Sequence, residues 1–269
     1  MKLLSGVLTV LAGAAFSLFL VLRHANTQNE PVDANLPVRT VVVELFTSEG
    51  CSSCPPADAL LDKLDRERRI GNAEIIALEE HVDYWDHLGW RDPFSSAQWT
   101  ERQQDYAASF PNDGVYTPQM VVDGRAEFVG SSEGRARTAI AEAVREPKAE
   151  TRLRSEPATN GKTRVSIDVK MVPAPAAQKA EVWLAVTETG LHSNVMRGEN
   201  AGEDLHHAAV VRSLRKVGQA ALNREVAYSG EHDVPFDPAW KKENLRVVAF
   251  VQDAKSRHIL GAASVRVTP

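Results

Sequence analysis

The sequence predicts an α/β domain on a mixed sheet, followed by an antiparallel β-sandwich-like domain. Three observations carry this. Between residues 39 and 148 the apolar patterning runs strand, helix, strand, helix, strand, strand, helix. From residue 149 onward come short alternating runs separated by turn residues. The charge divides at the same place: residues 37–148 hold 20 acidic and 12 basic side chains, and residues 149–269 hold 14 and 17.

The chain of 269 residues opens with an apolar run from Leu3 to Leu22, preceded by Lys2 and free of acidic residues. A positive start and an apolar stretch read as export. Twenty residues match a membrane-spanning helix better than the core of a cleaved signal, which is ~7–15. Residues 1–23 are therefore either an anchor or a signal peptide, with 24–38 a linker. Both readings place the body of the protein in the periplasm or cell envelope, an oxidising compartment, and an anchor adds N-terminal membrane contact.

The first domain begins with the β-branched run Thr40 to Phe46, a buried strand. Turn chemistry follows at Gly50-Cys51-Ser52-Ser53-Cys54-Pro55-Pro56, and then a helix from Ala57 to Arg69 with Leu60, Leu61 and Leu64 inward. Proline suits a first helical turn, and the residue before it avoids the helical region, so Cys54 is expected at the helix entrance. Ile75 to Val82 reads as a strand and Ser96 to Ala108 as a polar helix. Gln119–Val122 and Ala126–Val129 flank Asp123-Gly124, a hairpin signal. Ser132 to Arg145 closes the domain as a helix. In the second half, strands are expected at Val165–Val169, Val182–Val186, Leu245–Val251 and Ile259–Val267.

A net charge of −5 argues against nucleic acid as the main partner, because basic patches supply most of that affinity. No phosphate-binding glycine loop or zincin motif is present. The chemistry rests on Cys51 and Cys54, the only cysteines. A spacing of two residues places both at one turn, and a helix N-terminus stabilises a thiolate. A strand before and a helix after favour thiol–disulfide exchange, with Cys51 as nucleophile and Cys54 resolving. Gly50 is expected to leave the Cys51 sulfur open. As a structural staple such a loop yields only roughly 2 kcal/mol, against ~3 for fifteen residues. A metal half-site or an inert pair are the other readings.

Val43-Glu44-Leu45-Phe46-Thr47-Ser48-Glu49-Gly50-Cys51-Ser52-Ser53-Cys54-Pro55-Pro56-Ala57-Asp58 resembles the signature of a thioredoxin-like family of exported bacterial proteins. His81-Val82-Asp83-Tyr84-Trp85-Asp86, Leu88 to Phe94 and Val115 to Met120 resemble further blocks of it. So do Arg197-Gly198-Glu199-Asn200, Leu205 and Val210-Val211-Arg212. Glu79-Glu80 departs from the pattern by its charge. The resemblance implies a thioredoxin-like fold and a cis proline at Thr117-Pro118, whose backbone would offer a pairing edge to an extended substrate. Without it, Pro118 reads as a trans proline opening a strand.

Glu44 interrupts an apolar strand and is a candidate proton acceptor for the resolving thiol, or else an outward-facing carboxylate. His81, Asp83 and Asp86 follow the second strand, where sites gather in such sheets. His81 is a candidate for proton transfer or metal binding, or a structural histidine. Of the aromatics Tyr84 to Tyr116, most are expected in the core and one or two in a groove. Arg197 to Asn200 and His206-His207 read as a loop of the second domain, with Arg197 and Glu199 as candidates to bridge the domains and Glu203/His206 as a weak metal signal. The sequence thus points to an exported thiol–disulfide exchange protein acting on cysteine-containing envelope proteins or a redox partner, with no cofactor. One alternative is a Cu(I)-binding protein using Cys51, Cys54 and His81; another is a non-catalytic peptide-binding module.

Overall fold

The computed structural model describes residues 37–268, apart from residues 112–113, 158, 171–178 and 222–223. The N-terminal segment 1–23 and nearly all of the linker 24–38 lie outside the described residues. Among the described residues no helix is long and apolar enough to cross a membrane.

The first half forms β1 (Arg39–Thr47), α1 (Pro55–Glu67), β2 (Arg69–Ile70), β3 (Ala73–His81), α2 (Ala97–Ala107), β4 (Gln119–Val122), β5 (Ala126–Val129) and α3 (Glu133–Ala143). Two prolines open α1, and its C-terminal Arg68 turns left-handed, its N–H returning to the Leu64 carbonyl. Cys54 caps α1 with helical backbone angles, against the preference of a residue that precedes proline. Ser96 caps α2, its hydroxyl accepting from the Gln98 N–H at 3.2 Å. The β4–β5 turn takes positive φ at both Asp123 (51°) and Gly124 (63°), the backbone a two-residue hairpin requires. A Cβ on Gly124 would sit 2.0 Å from the Arg257 carbonyl oxygen, so the turn also admits no side chain there.

The second half forms β6 (Glu150–Ser155), β7 (Lys162–Lys170), β8 (Ala180–Glu188), β9 (Leu191–Asn194), β10 (Asp204–His207), β11 (Val210–Ala220), β12 (Val226–Pro235), β13 (Leu245–Asp253) and β14 (Ile259–Arg266). The long sheet has the order β14-β13-β8-β11-β3-β1-β4-β5, with β2 also on β3. β1 and β11 both run parallel to β3, and the other pairs are antiparallel. Separate antiparallel sheets are β12-β7-β6 and β10-β9. Among the described residues the architecture is a mixed sheet with three α-helices and two further antiparallel sheets.

The long sheet takes strands from both sides of residues 148/149. β11 pairs with β3 at Val210 and Glu79, and the Lys148 ammonium reaches Asp123 and the Ile259 carbonyl. At Glu79 β11 thereby covers the edge of β3. Period-two alternation sorts the side chains onto two faces. Val41, Val43, Leu45, Ile75 and Ala77 pack on Leu61 of α1 and Ile140 of α3. Val42, Phe46 and Leu78 pack on Trp99 and Tyr106 of α2, together with Leu214 and Phe250 from the second half. A third core lies between β7 (Val165, Ile167, Val169) and the β8–β13 part of the long sheet (Val182, Val247, Ala249).

Candidate thiol site and its buried charges

β1 ends at Thr47, and the chain turns through Ser48, Glu49 and Gly50 into the cysteines. The Cys51 N–H donates to the Ser48 carbonyl and the Cys54 N–H to the Cys51 carbonyl, both at 3.1 Å. Cys51 and Cys54 are joined as a disulfide with Cα atoms 5.4 Å apart. Cys54 sits at the N-terminus of α1, where the partial positive charge favours a thiolate once the bond is reduced.

Both cysteines are buried, Cys51 at 1% and Cys54 at 0% exposure. This differs from the open Cys51 expected beside Gly50, and two neighbours explain it. The loop between β9 and β10 lies over the turn: Asn200 Nδ2 donates to the carbonyls of Glu49 (2.8 Å) and Cys51 (3.1 Å). Glu199 Oε2 accepts from the Ser52 N–H (3.1 Å) and hydroxyl (2.7 Å), which hold its carboxyl below the usual range. Trp85 fills the space beside Gly50, where a Cβ would meet Trp85 Cβ at 3.0 Å. Glu199 therefore joins the two halves as expected, and both it and Arg197 are exposed.

The Thr117–Pro118 peptide bond is cis. Trp85 Nε1 donates to Thr117 Oγ1 at 2.9 Å, so one indole ties Thr117 to the cysteine turn. Gly130 lies between Pro118 and Ala57 of α1; a Cβ on it would stand within 3.2 Å of both. Thr117 and Pro118 are thus brought to the same end of the sheet as the cysteines.

Next to the turn is a buried cluster of charged groups. His207 of β10 shares Glu79 Oε1 through Nδ1 (2.9 Å) and Glu49 Oε1 through Nε2 (3.2 Å). His81 Nδ1 bonds Asp92 Oδ2 at 2.7 Å, while its Nε2 stands 3.5 Å from Glu79 Oε1 and makes no hydrogen bond. Trp90 Nε1 holds the other Glu49 oxygen at 2.7 Å, and the Glu49 N–H donates to Asp92 at 2.8 Å. Burial works to lower both histidines, but the carboxylates outweigh it. His81 lies well above the usual imidazole range, chiefly through Asp92, and His207 rises to about 9, chiefly through Glu79. Burial works to raise Glu79 and Asp92, yet the histidines hold both below the carboxylate range. Asp58, one turn along α1 from Cys54, is bonded by Thr47 Oγ1 at 2.6 Å. Burial and the Glu79 charge push it up to about 7.

Glu44 is not among these groups. Alternation along β1 turns it to the opposite face, where Arg102 Nε meets Glu44 Oε1 at 2.7 Å and the Tyr106 hydroxyl donates to Glu44 Oε2. Arg102 Nη1 also reaches Gln252 of β13 at 3.3 Å. Glu80 lies 3.2 Å from Arg102 Nε without hydrogen-bond geometry, and burial, with the Glu44 charge, raises its carboxyl well above the usual range. Glu44 is buried and ion-paired, in place of the thiol-side acceptor or outward carboxylate expected.

Sequence reasoning missed Asp58, whose spacing from Cys54 was the available signal, and His207, which reads as a solvated loop residue. His206 is exposed, near Asp204. Among the described residues, the group that gathers metal-ligating atoms is Glu79, His81 and His207, all within 4.8 Å of one another. The cysteines are not part of it, unlike the Cys51, Cys54 and His81 set drawn from the sequence. Of the aromatics, Trp99 and Tyr106 are core, and Tyr84, Trp85 and Phe110 are half-buried against them.

A family model described as Protein of unknown function (DUF1223) matches residues 42–252. The chain belongs to the DUF1223 family. Its match covers the cysteine turn, the buried cluster and the β9–β10 loop. An Agrobacterium tumefaciens protein of known structure is similar at 26% identity over 84% of this chain and 93% of that one, with a TM-score of 0.62. HBP35 of Porphyromonas gingivalis shares the fold at 16% identity, over 86% of this chain and 76% of that one, also with a TM-score of 0.62. No curated protein matches the sequence.

Proposed function

We propose that the protein is a thioredoxin-like thiol–disulfide exchange protein of the cell envelope, acting on cysteine-containing client proteins or a redox partner. The observation that carries this is the Cys51–Cys54 bond at the N-terminus of α1, joined by Trp85 to Thr117. The strand order β3-β1-β4-β5, with α1 and α3 on one face and α2 on the other, supports the thioredoxin-like reading. The apolar run before residue 23 supports export.

In the oxidised protein a client thiolate attacks the Cys51 sulfur. A client–Cys51 disulfide forms, the Cys51–Cys54 bond breaks, and Cys54 leaves as a thiolate. A second client thiolate then attacks the client sulfur and releases Cys51. The client loses two electrons and the cysteine pair gains them; the reverse sequence reduces a client. Asp58, near neutrality in its proton affinity, is placed one turn from Cys54 to supply or accept its proton. Because Cys51 is covered, attack requires the loop carrying Glu199 and Asn200 to lift.

Cys54→Ser tests the reading in cells. It is expected to accumulate mixed disulfides through Cys51, because the resolving thiol is missing, and Cys51→Ser is expected to trap few. Equal absence of trapped species in both variants contradicts the proposal.

A further inference from the structure

We propose that Glu79, His81 and His207 form a binding site for a divalent transition-metal ion of the zinc class, one hydrogen bond away from the cysteine turn. The donor spacing about Glu79 fits. Tetrahedral zinc at about 2.0–2.1 Å from nitrogen and oxygen asks for donors about 3.3 Å apart. His81 Nε2 is 3.5 Å and His207 Nδ1 2.9 Å from Glu79 Oε1. All three donor atoms lie within 4.8 Å of one another.

Two further observations point to a ligand. His81 Nε2 is a buried nitrogen with no hydrogen-bond partner, aimed at Glu79, on a side chain with no exposed surface. Buried polar atoms in folded proteins are paired, so an orphan asks for an explanation. The other ring nitrogen of each histidine is held by a carboxylate: His81 Nδ1 by Asp92 and His207 Nε2 by Glu49. Carboxylate–histidine–metal chains of this kind orient the imidazole toward the ion, which displaces the proton of the ligating nitrogen. These carboxylates are themselves held, Asp92 by the N–H groups of Glu49 and Phe94 and Glu49 by Trp90. Two imidazoles and one carboxylate suit zinc or cobalt, while calcium and magnesium prefer oxygen alone and Cu(I) prefers sulfur. Three protein ligands leave the fourth tetrahedral position to water or an incoming group.

The site does not depend on the thiol reading, and the test separates them. The full chain, oxidised and stripped with a chelator, is equilibrated with zinc and bound metal is counted. One zinc per chain is expected, retained when Cys51 and Cys54 are both changed to Ser. Glu79→Gln is expected to weaken binding by roughly 100-fold or more, and Asp92→Asn by roughly 10–100-fold, each with native circular dichroism. Should those variants not fold, the cobalt-loaded wild type decides: a visible spectrum with nitrogen and oxygen ligands only supports the site, and a thiolate charge-transfer band overturns it. Failure of the oxidised wild type to bind zinc, or affinity unchanged in a folded Glu79→Gln, also overturns it.

Discussion

Asn200→Ala isolates the cover over the cysteine turn. In the closed protein Asn200 Nδ2 donates to the Glu49 and Cys51 carbonyls at 2.8 and 3.1 Å. Each such bond contributes about 0.5–1.5 kcal/mol net, so the variant loses about 1–3 kcal/mol from the closed state. In the open state water takes both carbonyls, and the substitution costs nothing there. The opening equilibrium therefore shifts by ~5–150-fold, at about 1.4 kcal/mol per factor of ten. If opening precedes attack, native-state reduction of Cys51–Cys54 by excess dithiothreitol accelerates by that factor, read by thiol titration. Glu199→Gln accelerates it less, because the amide oxygen still accepts from Ser52. In denaturant, wild type and variant reduce at one rate. A native rate within twofold of wild type refutes the claim that this loop limits access.

Arg102→Met removes the cation facing Glu44 and Glu80 and strands a buried carboxylate. A loss of about 3–5 kcal/mol is expected in urea denaturation, and adding Glu44→Gln recovers part of it. Asp58→Asn tests a raised carboxyl. A group at about 7 in the fold and ~3.9 unfolded contributes stability below the unfolded value and loses it as pH rises through 7. Asp58 faces Glu79, His81 and His207 across the α1–sheet interface and Thr47 from β1. At pH 9 its ionisation costs the wild type ~4 kcal/mol, so Asp58→Asn is expected to be the more stable protein there, with the difference vanishing near pH 4. Equal pH profiles from chemical denaturation refute this assignment.

The first half was legible because its signals are local. The β-branched run at Val41–Val43, the prolines after Cys54 and Asp123-Gly124 each dictate their own backbone. β11 was not legible. Its sequence Val210 to Ala220 carries three basic residues, and its pairing with β8 breaks register twice, so no period-two pattern survives. The short strands β9 and β10, which hold the loop over Cys51, carry no apolar alternation either. The site divides in the same way. Cys51, Cys54 and Pro118 were readable from motif and resemblance. His207 was not, because what buries it is Glu79 on β3, brought alongside by a pairing across more than a hundred residues. Glu44 was misplaced because a period-two strand fixes which residues share a face and not which face meets the helix bearing the cysteines.

The central claim is that Cys51–Cys54 is an exchanging pair rather than a staple, and its reduction potential tests this most directly. Equilibrating the full chain against glutathione redox buffers, with thiols quantified by alkylation, gives the potential. Exchange proteins lie between about −270 and −120 mV, and structural disulfides lie below about −300 mV. The account predicts a value inside the first range, and a value below about −300 mV contradicts it.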